Sequence, residues 1–340
     1  MKKYIPTVFF FLLTATSFAQ SDNRQQFAPI GDFKLESGNV IRDCTLGYRT
    51  YGRLNGAKSN VVLFLTWFGG RALDVEGTGP WQAIDTTRYF LIIVDALGDG
   101  VSSSPSNSIK QHGRQFPVFS VADMVESQHL LLTKRLGIAH VHAIMGISMG
   151  GIQTFQWAVS YPDFTDALVP IVGSPQPSSY DLMLYSTFKK DIEADSAYNH
   201  GDYKVNPNIV AANMLWELFL TTPANRVANM SHDDFPKWIQ NTENKKTGDW
   251  NDSWYQITAI IAHDISRPYG AMKNAASRVK AKMLIISSLQ DHMVNPNPAI
   301  EFSKLLPAKL VVLNSDLGHL APNFGDPKVK NSIIEILAGK

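Results

Sequence analysis

His140-Val141-His142-Ala143-Ile144-Met145-Gly146-Ile147-Ser148-Met149-Gly150-Gly151-Ile152-Gln153-Thr154-Phe155 is the stretch on which the fold turns. Its first half is an apolar, β-rich run, and its second half carries Ile152, Phe155 and Val159 at helical spacing before Pro162 stops the pattern. Between them lies Gly146-x-Ser148-x-Gly150. A strand that passes into a helix over one residue holds that residue in a strained turn, and glycines two positions either side remove Cβ atoms that would collide there. The serine hydroxyl is thereby pushed clear of the sheet. The first turn of the helix directs free N–H groups and the positive end of its dipole at the same point, a setting suited to an oxyanion.

Outward from this turn, short apolar runs rich in β-branched residues recur at Val61 to Leu65, Tyr89 to Val94, Ala167 to Val172, Met283 to Ser287 and Lys309 to Leu313. Such runs suit strands buried on both faces of a mainly parallel sheet. Ser120 as N-cap, Asp123 three residues on, a periodic apolar face and Gly137 as stop mark one intervening helix. Phe33 to Tyr51 alternates apolar and polar residues around Ser37-Gly38-Asn39, which predicts antiparallel strands ahead of the parallel ones. The fold class is α/β, with core segments at 20–174 and 277–340.

Residues 175–276 break the alternation with short helical patterns and four of the seven tryptophans, Trp216, Trp238, Trp250 and Trp254. This segment reads as a helical cap inserted into the sheet domain; the plainer alternative is a helical wing with no contact to a site.

The 340 residues carry 31 basic and 30 acidic side chains, and no run of Lys and Arg concentrates the charge, so a nucleic-acid partner is not expected. The single cysteine, Cys44, excludes an intramolecular disulfide, a CxxC redox pair and a thiolate metal cluster. Residues 1–19 read as an export signal: Lys2 and Lys3, the apolar Val8 to Leu13, and Ser17-Phe18-Ala19 as a small-x-small cleavage site. A mature chain from about Gln20, periplasmic or secreted and without a membrane anchor, is expected; an uncleaved anchor is the rival reading, against which the apolar stretch is short and interrupted. A homodimer stays open.

A serine hydroxyl is a weak nucleophile and needs a histidine base with a carboxylate to hold it, which in elbow-type sites follow in the order Ser, Asp, His. Met283 to Ser288 runs into Leu289-Gln290-Asp291, and Leu310 to Leu313 runs into Asn314-Ser315-Asp316-Leu317-Gly318-His319. Asp291 and His319 thus each follow a strand end, where catalytic groups of open α/β sheets gather. Ser148, Asp291 and His319 are the candidate catalytic residues. Thr66-Trp67-Phe68-Gly69-Gly70, after the early strand, is the expected source of a second oxyanion donor, Phe68 N–H beside Met149 N–H; Trp67 is a candidate substrate contact. His140-x-His142 has metal-ligand spacing on one strand but no third ligand nearby, and reads as structural. No metal or organic cofactor is expected.

The chain from about Leu35 resembles the homoserine O-acetyltransferase branch of the α/β-hydrolase fold, most densely at Gly79 to Tyr89, at Phe116-Pro117-Val118 to Gly137, and from Gly146 through Trp157-Ala158. The resemblance implies the same roles for Ser148, Asp291 and His319. It also exposes departures. Leu320 stands after His319 where the family has an aspartate for the substrate amino group. Lys189 stands for an arginine of the first cap helix that grips the substrate carboxylate, and a lysine lacks the bidentate fork. His292-Met293-Val294-Asn295-Pro296 replaces the family's Trp-Leu-Phe-Pro-like run. Together with export away from acetyl-CoA, this implies a small-ester hydrolase using water as acyl acceptor. A CoA-dependent acyltransferase is the alternative, followed by amidase or peptidase activity and a binding protein with a dead site.

Overall fold

The computed structural model describes residues 23–244 and 248–339, so the expected export signal and its cleavage site lie outside the described residues. Eight strands form one sheet: β1 (Gln26–Lys34), β2 (Val40–Tyr51), β3 (Val61–Leu65), β4 (Phe90–Val94), β5 (Val141–Ile147), β6 (Thr165–Ile171), β7 (Lys282–Ser288) and β8 (Ala308–Leu313). Their spatial order is β1-β2-β4-β3-β5-β6-β7-β8. β1 and β2 join antiparallel, as the alternation around Gly38 predicts, and from β4 to β8 every pairing is parallel.

The apolar runs become central strands because both faces of the sheet are covered. On β3 all five residues are buried, with Val61, Leu63 and Leu65 feeding one core and Val62 and Phe64 the other. The helices that cover the sheet are α1 (Gly79–Gln82), α2 (Val121–Leu130), α3 (Met149–Ser160), α10 (Asn297–Ser303) and α11 (Pro327–Leu337), numbered with those of the insert between β6 and β7. α2 starts where its Ser120–Asp123 capping box predicts, with Asp123 N–H donating to Ser120 Oγ at 3.0 Å. It does not run straight to Gly137. Residues Leu131–Arg135 widen into a π-turn, closed by Leu136 N–H donating to Leu131 O at 3.0 Å, a detail that hydrophobic periodicity does not encode.

The insert holds α4 (Ser179–Ala194), α5 (Val210–Leu220), α6 (Pro223–Asn229), α7 (Phe235–Glu243), α8 (Trp250–Ile261) and α9 (Met272–Ala276). Its tryptophans divide. Trp250 and Trp254 are buried and Trp216 packs on the main core, whereas Trp238 stacks on Phe235 under the Arg226 guanidinium. α8 is fastened to the sheet domain by three polar side chains on one face. Asp252 accepts from Ser106 N at 2.9 Å and Ser106 Oγ at 2.5 Å; Tyr255 donates its hydroxyl to Phe116 O at 2.5 Å; Gln256 donates to Leu97 O at 3.0 Å.

Candidate active site

Ser148 stands alone between β5 and α3 with φ 58° and ψ −119°, a backbone conformation strained for any residue with a Cβ. The flanking glycines are required by contact. A Cβ on Gly146 would lie 2.5 Å from the Gly150 carbonyl carbon, and one on Gly150 would collide with the Leu65 carbonyl oxygen of β3. The elbow is therefore pressed against its own helix on one side and the neighbouring strand on the other, with only 8% of Ser148 exposed.

His319 enters from the helical turn Gly318–Phe324 after β8. Its Nε2 lies 2.9 Å from Ser148 Oγ and its Nδ1 lies 2.7 Å from Asp291 Oδ2, so one ring faces the hydroxyl and the carboxylate on opposite edges. Asp291 is fixed in turn. Its other oxygen, Oδ1, accepts from Met293 N and Val294 N at 2.8 Å each. The insert braces the same loop: Tyr185 donates to Met293 O at 2.8 Å, and Asp181, the N3 residue of the α4 capping box, accepts from Asn295 N at 2.8 Å while it also accepts from Ser178 N at 2.7 Å. Burial pushes the Asp181 carboxyl above its usual range, and those hydrogen bonds oppose the shift.

Of the expected oxyanion donors, Met149 is the first residue of α3, so its N–H is one of the first-turn groups without a partner inside the helix. Phe68 lies in the loop after β3, and its ring is clasped by the insert: it stacks on Trp216 with centroids 4.5 Å apart and meets Phe188 edge-on at 5.8 Å. Trp67 is turned the other way. It folds over Gly70 and packs on the core of the opposite sheet face, apart from that aromatic group. Lys189 on α4 sits over the Trp254 ring, with Nζ 4.2 Å from its centroid and 4.0 Å from Glu193 Oε1, and burial holds its ammonium below the usual lysine range.

His140 and His142 bond to protein groups: His140 to Asp166 Oδ1 at 3.0 Å, His142 to Leu337 O at 2.7 Å with its ring stacked on Tyr89. Sequence reading missed Gln153 and Gln256, which grip the Phe68 loop, and the aromatic clasp of Phe188 and Trp216. A glutamine inside a helix has no motif around it, and stacking between distant helices has no sequence period.

A parallel sheet with an antiparallel start, a strained serine on the turn after β5, and a histidine and an aspartate delivered from β8 and β7 define an α/β hydrolase. The model of the alpha/beta hydrolase fold family matches residues 61–326. The ethyl acetate hydrolase of Pseudomonas veronii is 31% identical over 315 residues, covering 86% of this chain and 88% of that protein. A homoserine O-acetyltransferase of Haemophilus influenzae is 31% identical over 343 residues, covering 90% and 96%. The solved structure of an acetylester hydrolase from Corynebacterium glutamicum superposes with a TM-score of 0.83 at 27% identity, covering 93% of this chain and 96% of that one. The chain belongs to the α/β hydrolase family, in the branch where homoserine O-acetyltransferases and esterases stand side by side. It is an enzyme of the hydrolase or transferase kind.

Proposed function

We propose that the protein is a serine ester hydrolase for small acyl esters, acetyl esters first, working through an acyl-enzyme. The observation that carries the reading is the continuous hydrogen-bonded chain Ser148 Oγ, His319 Nε2, His319 Nδ1, Asp291 Oδ2. His319 takes the proton as Ser148 attacks the ester carbonyl, Asp291 holds the imidazole in the right tautomer, and the same proton goes to the leaving alcohol. The N–H groups of Met149 and Phe68 receive the oxyanion at the N-terminal end of α3. Water then attacks the acyl carbonyl as it gives a proton to His319, and the Ser148 Oγ–acyl bond breaks as His319 returns that proton to Oγ, releasing the acid.

Water is favoured over an amino-acid acceptor because Leu320 and Lys189 stand where amine and carboxylate recognition would need an aspartate and an arginine. The relative from Pseudomonas veronii, named for ethyl acetate hydrolysis, supports the same choice. Acyl transfer from acetyl-CoA is the second reading, favoured by the similarity to homoserine O-acetyltransferases. Export, with the insert as a cap over the site, completes the proposal.

A rate panel with acetyl, butyryl and octanoyl esters, run with and without acetyl-CoA plus homoserine, tests it. Ester cleavage that needs no CoA, fastest on acetyl, is the expected result. O-acetylhomoserine formed faster than ester is cleaved reverses the order of the two readings.

A further inference from the structure

The loop that carries Phe68 is held by hydrogen bonds on both sides of that residue. Thr66 O accepts from Gln153 Nε2 at 3.1 Å, Thr66 Oγ1 accepts from Ala96 N at 3.2 Å, and Trp67 O accepts from Gly70 N at 2.9 Å. Beneath it runs a relay of side chains. Trp157 Nε1 donates to Gln128 Oε1 at 2.9 Å, and Gln128 Nε2 donates to Gln153 Oε1 at 2.6 Å. From above, Gly69 N donates to Gln256 Oε1 at 2.8 Å, and Gln256 Nε2 donates onward to Leu97 O at 3.0 Å. Among the described residues the Phe68 N–H makes no hydrogen bond, although its neighbours in the loop do.

The grip at Gly69 comes from the insert. Gln256 lies on α8, is completely buried, and bridges two core loops 187 and 159 residues away in sequence. Gly69 has φ +65° with open space around its Cβ position, so the loop has a flexible point at the place where Gln256 holds it. A glutamine suits the position because one planar group accepts from Gly69 and donates to Leu97 at once.

We propose that Gln256 is a positioning residue for the oxyanion hole: by fixing Gly69 it keeps the Phe68 N–H aimed at the developing oxyanion, so the insert sets the rate of the chemical step as well as access to it. The proposal rests on the acyl-enzyme reading above.

The test is Gln256→Met, which keeps the volume and removes both bonds, compared with Gln256→Glu and Tyr255→Phe. Gln256→Met is expected to lower kcat on an acetyl ester by about 10- to 100-fold, with KM within about threefold. Affinity for an alkylboronic acid, whose serine adduct places an oxygen in the hole, should fall in proportion to kcat/KM. Tyr255→Phe, which loses a tether from the same helix to Phe116 O, should lower Tm and leave kcat unchanged. In Gln256→Glu the neutral acid restores both bonds, so its kcat relative to wild type should rise as pH falls, whatever the stability of the Met variant. An unchanged kcat in Gln256→Met, a matching kcat loss in Tyr255→Phe, or a flat Glu-to-wild-type ratio across pH overturns the proposal. Failure of the acyl-enzyme reading would show separately, in the wild type, as no labelling by a fluorophosphonate.

Discussion

His319 takes its carboxylate from Asp291, 28 residues back and one strand over at 2.7 Å, although Asp316 lies three residues away in its own loop. Asp316 is exposed and serves through its backbone, where its carbonyl accepts from Thr222 N at 3.1 Å and Thr222 Oγ1 at 2.7 Å. Asp291→Asn should therefore leave a folded protein with kcat reduced by roughly 10³ to 10⁴, while Asp316→Asn costs about tenfold or less. Rates at matched Tm decide the point, and a larger loss in Asp316→Asn would move the role to that residue.

Strain at Ser148 separates activity from stability. Ser148→Ala and Ser148→Gly should both abolish fluorophosphonate labelling and lower turnover by about 10⁴ or more. Only the glycine variant removes the Cβ that makes φ 58°, ψ −119° costly, a strain of about 1–3 kcal/mol. Thermal unfolding should place Ser148→Gly above Ser148→Ala; the opposite order would mean that the turn stores little strain.

Trp216 and Phe188 pack around the Phe68 ring, and on the proposed reading they border the acyl group. Trp216→Ala should raise the butyryl-to-acetyl ratio of kcat/KM by about tenfold, since each added methylene in an apolar pocket is worth ~1–3 kcal/mol. An unaltered chain-length profile would show that the acyl group lies elsewhere.

Asp252, buried where α8 meets the core, has its carboxyl pushed up to about 7, by burial first, against the hydrogen bonds from Ser106; Asp249 adds to the rise and Arg71 opposes it. A carboxyl raised on folding is protonated in the native state while it is ionised in the unfolded chain. Its contribution is complete below the unfolded value of 3.8 and is lost as pH rises toward about 7. The linked free energy over that window is on the order of 4 kcal/mol. Asp252→Asn should gain stability relative to wild type between pH 5 and pH 8, read by denaturant unfolding at each pH. Asp99 nearby is also raised, by burial and then by the charge of Asp95, so the comparison is the difference between the two proteins rather than either slope alone. A difference that does not vary with pH would reject the assignment.

The sheet was readable because strands covered on both faces must be apolar throughout, as β3 and β4 are, and because parallel order leaves catalytic groups at strand ends. That Ser148, Asp291 and His319 meet was readable for the same reason: each lies in the segment that follows a strand. The supports were not. Gln153, Gln256 and Asp181 act across 87, 187 and 114 residues, and nothing local distinguishes them from other polar residues on helices. Trp67 and Phe68 are adjacent and chemically alike in sequence, yet the turn sends one ring to each side of the loop. The helical character of 175–276 was legible from its periodicity, and the faces it would present were not.

The insert also imposes an order on synthesis. It lies between β6 and β7, so the whole of it is made after Ser148 and before either Asp291 or His319, and 171 residues separate hydroxyl from imidazole. An emerging chain can shape the strained turn early, but it holds a hydroxyl with no base until β7 and β8 have docked past the finished helices. Contacts this distant form late and slowly. On the acyl-enzyme reading the serine is thus without its base until the last strands are in place, and appearance of fluorophosphonate reactivity during refolding becomes a clock for completion of the domain.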